Sequence, residues 1–110
     1  MGLQSLDLKV IKRAVIDDAS SGDNEIVAAV AGKRIYVLSL FLVAGGTTTV
    51  RFESGAGGSA LTGQMSFIAN TGFSAAHNES AWFETAIGES LNLELSDAVT
   101  VDGALTYVEV

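Results

Sequence analysis

The stretch RIYVLSLFLVA, residues 34–44, decides how this chain folds. Between Ile35 and Ala44 only Ser39 is polar, and the run reads as one β-strand. Alternate residues of a strand point to opposite sides. Ile35, Val37, Phe41 and Val43 are thereby expected on one face, and Tyr36, Leu38, Leu40 and Leu42 on the other. In a two-layer domain one face packs the core and the other points outward. Burying a leucine stabilises by roughly 1.5–3 kcal/mol, and three exposed in a row invite aggregation, so the second face needs a cover. A loop of the same chain is one cover and a second subunit is the other. The mean hydropathy of +0.38 favours the subunit, and Tyr36, Leu38, Leu40 and Leu42 are expected to form an oligomer interface.

Outward from this strand, turn-rich stretches recur: DDASSGDN, AGK, AGGTT, SGAGGSALTG, NTG, HNES, IGES and VDGA. Between them lie short runs of Val, Ile, Leu, Phe and Thr, with no long helical period, which predicts an all-β sandwich or barrel. The strands are expected near 8–16, 24–31, 34–44, 47–53, 64–69, 72–76, 81–85, 90–96, 98–101 and 104–110. In SLNLELS, Leu91, Leu93 and Leu95 face one way and Asn92, Glu94 and Ser96 the other. In TVRFE, Val50 and Phe52 oppose Thr49, Arg51 and Glu53, so each strand is expected to have a dry and a wet face. Asp102-Gly103 reads as a tight hairpin turn. At 110 residues the chain is expected to be one domain, with residues 1–13 an extended amino-terminal arm or first strand.

There is no cysteine, hence no disulfide or thiolate metal site, and no proline to interrupt a sheet ladder. MGLQSLDLKV lacks the apolar centre of a signal peptide, and the ten-residue run 35–44 is about half of what a bilayer-spanning helix needs. A soluble, unexported protein with no membrane partner is expected. The net charge of −7 is uneven: residues 1–51 hold all six bases and sum to +1, while residues 52–110 sum to −8. Such a surface repels a polyanion, so no nucleic-acid partner is expected. The acidic half is expected to be a solvated face, and docking of the basic stretch Lys9, Lys12 and Arg13 on an acidic neighbour is the alternative.

The chemical motifs fall away one by one. RFESGAGGSALTGQ (51–64) has the G-x-G-x-x-G/A spacing at Gly55, Gly57 and Ala60. A dinucleotide site needs a helix after the glycine turn to meet the pyrophosphate, but no helix fits before Gly63, and no Gly-Lys-Ser/Thr occurs. The loop is expected to turn the chain. His77 is the single histidine, too few for a cupin-type metal centre, and no G-x-S-x-G elbow supports a serine triad. DDASSGDNE (17–25) gathers four carboxylates but lacks EF-hand spacing, so it reads as a turn. Trp82 and Phe83 read as core or interface residues, with sugar stacking by Trp82 or Tyr36 as the alternative. Glu79 and Glu84 have no fixed separation to make a glycosidase pair. No catalytic group, cofactor or metal is expected.

The order SSGDNEIVAAVAGKRIYVLSLFLVAGG, TVRFESGAGGSALTGQMS and WFETAIGESLNLELSDAVTVDGALTYVEV resembles small virion proteins of tailed bacteriophages, head-decoration (cement) proteins above all. It covers about Ala14 to Val108, and its motifs describe a scaffold with no chemistry. The resemblance implies a jelly-roll-like antiparallel β-sandwich, homotrimeric or otherwise symmetric, bound to the major capsid protein on the virion surface after assembly in the host cytoplasm. Lys9, Lys12 and Arg13 would then face the capsid, and strand 35–44 would join copies. A carbohydrate-binding, lectin-like module and a tail or spike component are the alternatives.

Overall fold

The computed structural model describes residues 10–110, and its described residues form strands with no helix. The strands are β1 (Lys12–Asp18), β2 (Gly22–Val27), β3 (Ile35–Ala44), β4 (Thr48–Ser54), β5 (Ser59–Ala60), β6 (Met65–Phe67), β7 (Thr71–Ala75), β8 (Phe83–Glu84), β9 (Leu91–Leu95) and β10 (Val101–Glu109). The two halves of the chain pair as one long folded hairpin: β1 with β10, β2 with β9, β3 with β7 and β8, and β4 with β5 and β6, all antiparallel. Additional pairing of β10 with β3 and β9 with β4 rolls this hairpin into two sheets. One has the order β1-β10-β3-β7 with β8 also on β3; the other has β2-β9-β4-β5 with β6 also on β4. This is jelly-roll order, and the chain is an all-β sandwich as expected.

The inner faces follow the alternation of the sequence. Leu93 lies opposite Phe52 and Leu95 opposite Val50 across β9 and β4. They meet Ile16, Val37, Leu40, Leu42, Val101 and Leu105 of the facing sheet in one buried core. Phe52 and Phe83 bridge the sheets with ring centroids 5.0 Å apart.

Strand β3 departs from the expected alternation, and one residue causes it. The register against β10 shifts between Thr106 and Tyr107: Ser39 lies opposite Thr106 and Val37 opposite Tyr107, so Leu38 has no partner. Such a bulge exchanges the two faces of everything beyond it. Ile35 and Val37 point inward before the bulge; Leu40, Leu42 and Ala44 point inward after it. The outward positions are Phe41 and Val43.

A second correction concerns Asp102-Gly103. The two expected strands around it are one continuous β10, and the pair sits inside it. Gly103 lies between Ile16 and Leu42. A Cβ there would stand 1.9 Å from the Phe41 carbonyl oxygen, so the glycine permits close backbone approach and makes no turn.

Candidate interaction surface

The outer face of the β1-β10-β3-β7 sheet can be read row by row from its register. Arg13, Thr106 and Ser39 form one row; Val15, Ala104, Phe41 and Ser74 the next; Asp17, Asp102, Val43 and Gly72 the third. Val15 is 69% exposed, Phe41 55% and Val43 48%. Small neighbours flank them, so the large side chains stand proud of a flat, largely apolar middle. The hydroxyls of Ser39 and Thr106 bond each other at 2.5 Å, which leaves Arg13 as the unmet polar group of this row. A shallow hollow lined by Arg13, Ser39, Phe41, Ala104 and Thr106 joins the first two rows.

The two ends of this face carry opposite charge. Arg13 is exposed and makes no salt bridge among the described residues. At the other end Asp17 and Asp102 lie directly opposite each other, with Asp18 beside them. Asp18 Oδ2 is buried without a donor. Burial, reinforced by the charges of Asp17 and Asp102, pushes the Asp18 carboxyl up to about 6.

The expected interface residues are largely elsewhere. Leu38 is 2% exposed, Leu40 4% and Leu42 1%, and Leu40 and Leu42 belong to the chain's own core. The cover for these leucines is therefore the protein itself. Tyr36 is half-buried, opposite Val108 and Glu84. Of the expected basic pole, Lys9 lies outside the described residues. Lys12 Nζ donates to Glu109 Oε1 at 2.7 Å, and this partner raises the Lys12 pKa. Arg13 remains on the apolar face just described.

The glycine loop is held by backbone hydrogen bonds and has acidic side chains beside it. Gly55 N donates to the Ser90 carbonyl at 2.8 Å, and Gly58 N to the Gly55 carbonyl at 3.1 Å. Gly55 and Gly57 have φ of 78° and 67°, which glycine accepts without strain. A Cβ at Gly55 would meet the Glu89 carboxylate and one at Gly57 the Asp23 carboxylate, surroundings that disfavour a phosphate. Ser54 fixes the loop base: its hydroxyl donates to Glu89 Oε1 at 2.5 Å and accepts from Ala86 N at 2.8 Å.

His77 is exposed. Trp82 is 52% exposed, contrary to the core placement, and its indole N–H donates to the Ala76 carbonyl at 2.8 Å. It sits at the open edge of the sandwich over a cavity of about 250 Å³ lined by Leu40, Phe52, Leu61, Phe73 and Phe83. A sugar platform needs polar groups around the aromatic ring; Thr62 is the one polar side chain of this lining.

No protein-family model and no curated protein matches this chain. Among solved structures it is similar to one described as "Bacillus endospore appendages form a novel family of disulfide-linked pili", with a TM-score of 0.56 and 19% identity over 91% of this chain and 85% of that one. At this identity the likeness shows a shared β-sandwich fold.

Proposed function

We propose that this chain is a structural subunit that associates with copies of itself through the outer face of the β1-β10-β3-β7 sheet, and that the assembled unit decorates the head of a tailed bacteriophage. The observation that carries the self-association is the exposed apolar patch of Val15 and Phe41 in one row and Val43 in the next. An apolar patch of this kind on a sheet face gains free energy when a partner removes it from water. The order of charges supports a copy as that partner. A two-fold axis running across the strands through the Val15–Phe41 row lays each Arg13 over the Asp17 and Asp102 of the other copy. The homotrimer implied by the phage resemblance needs a further contact beyond this two-fold pairing.

The virion role rests on the sequence resemblance. A decoration protein acts by mass action: it binds the assembled lattice and so stabilises that state against dissociation. The test is the copy number in purified particles, measured by quantitative mass spectrometry. Hundreds of copies per particle are expected. A handful assigns the chain to a tail or spike, and absence from particles overturns the virion role.

The fold match favours a second reading, a subunit of an extracellular fibre. The similar structure is described as a disulfide-linked pilus, whereas this chain has no cysteine and would rely on noncovalent faces. Filaments of purified protein under electron microscopy would support this reading over closed oligomers.

A further inference from the structure

We infer that Asp23, Glu53 and Glu94 form a site for a divalent cation of the calcium class on the outer face of the other sheet. The three residues come from β2, β4 and β9. Register places Asp23 opposite Glu94 and Glu94 opposite Arg51, and Glu53 follows two residues along on the same side of β4. One carboxylate oxygen from each of Asp23, Glu53 and Glu94 lies within 4.8 Å of the others. All the donors are hard oxygens, which suit calcium or magnesium rather than a softer transition metal.

Arg51 accounts for only part of this charge. Its Nη2 is 2.8 Å from Glu53 Oε2 and its Nε is 2.7 Å from Glu94 Oε1. It thereby holds the two glutamates in place through one oxygen each. Three carboxylates against one guanidinium leave a formal −2, which one divalent cation balances. The independent sign of a missing ligand is Glu53: its side chain is completely buried, yet Oε1 has no hydrogen-bond donor. A buried carboxylate oxygen is normally paired, so an orphan calls for an ion or a proton. Asp23 is exposed and opens the cluster to solvent. Of the three carboxylates only Glu94 also lines the hollow of about 250 Å³ that lies between Thr49, Arg51, Gln64 and Ser96, so the open approach to the cluster is the exposed Asp23.

A proton is the competing solution. Burial and the neighbouring Asp23 carboxyl both push the Glu53 pKa up, while Arg51 pulls it down. The two solutions separate experimentally. Thermal unfolding of the full chain near pH 7.5 is measured in EDTA and with about 10 mM CaCl2, alongside calorimetric titration with CaCl2. The site predicts a rise in Tm of about 5 °C or more with calcium and one ion bound per chain. Asp23→Asn, at an exposed position where folding is not at stake, abolishes both responses, as does Glu53→Gln. Glu79→Gln, outside the cluster, retains them. The inference is overturned by an unchanged Tm and absent binding heat in the wild type, or by a response that survives Asp23→Asn. The site lies on the sheet opposite the apolar face, so its outcome is independent of the assembly proposal.

Discussion

On β3 the outward side chains beyond the bulge are Phe41 and Val43, apolar and about half in water. On β4 they are Arg51 and Glu53, charged, and Glu53 is completely out of water. Each placement is costly where it stands, and the two costs are relieved differently. Exposed apolar surface is relieved by a partner that comes from outside, as large as the patch itself. A buried carboxylate is relieved from within reach, by a donor, a proton or a cation. On the two proposals above, one sheet is completed by another protein and the other by a small charged species.

The sharpest way to break this comparison uses neighbours on β3. Leu42→Lys puts a charge into the core, and loss of the folded state, at least about 3 kcal/mol, is expected in chemical denaturation. Val43→Lys, one residue on, is expected to change the stability of the dilute, dissociated chain by no more than about 0.5 kcal/mol, as for an exposed site. Equal effects at the two positions would refute the face assignment made by the bulge at Leu38.

Next in size is Gly103→Ala. Its Cβ would meet the Phe41 carbonyl oxygen at 1.9 Å, so β10 must shift from β3 beneath the apolar rows. A loss of about 1–3 kcal/mol is expected from this overpacking. A neutral outcome would mean that the two strands are not so closely apposed.

A smaller effect carries a pH signature. Asp18 titrates near 6 in the folded chain, above its ordinary value of 3.8. Folding therefore favours its protonated form, whose stabilisation is fully present below about pH 4 and is lost as the pH rises through 6. Asp18→Asn is expected to raise Tm at pH 7 and to leave it unchanged near pH 3.5. If the gain persisted at low pH, its cause would lie outside this titration. Smallest is the optical response of Trp82: with the indole half in water and its cavity lined by apolar groups, the fluorescence of this single tryptophan is expected not to change with added glycans, and a saturable response would favour the lectin alternative.

Much of the sandwich was legible in sequence because alternation is a local signal. Leu91, Leu93 and Leu95 with Val50 and Phe52 announced the inner face of one sheet, and both strands lie where the pattern placed them. The faces of β3 were not legible, since a single unpaired residue inverts parity without leaving a mark in composition. Asp102-Gly103 has the chemistry of a turn, and only the strands on either side reveal that the glycine serves close packing. Glu53 looked like a wet-face residue, yet its side chain is completely buried, which alternation alone does not signal. The acidic cluster joins residues 23, 53 and 94, with no spacing to signal it, although DDASSGDNE did contain one of its members.

The central claim is that the outer face of the β1-β10-β3-β7 sheet joins copies of this chain. Sedimentation velocity across a dilution series, comparing wild type with the Val15→Lys/Phe41→Lys double variant, tests it most directly. The account predicts a concentration-dependent oligomer for the wild type and a folded monomer for the variant, with the same circular dichroism. A wild type that stays monomeric at every concentration, or a variant that assembles equally well, would contradict it.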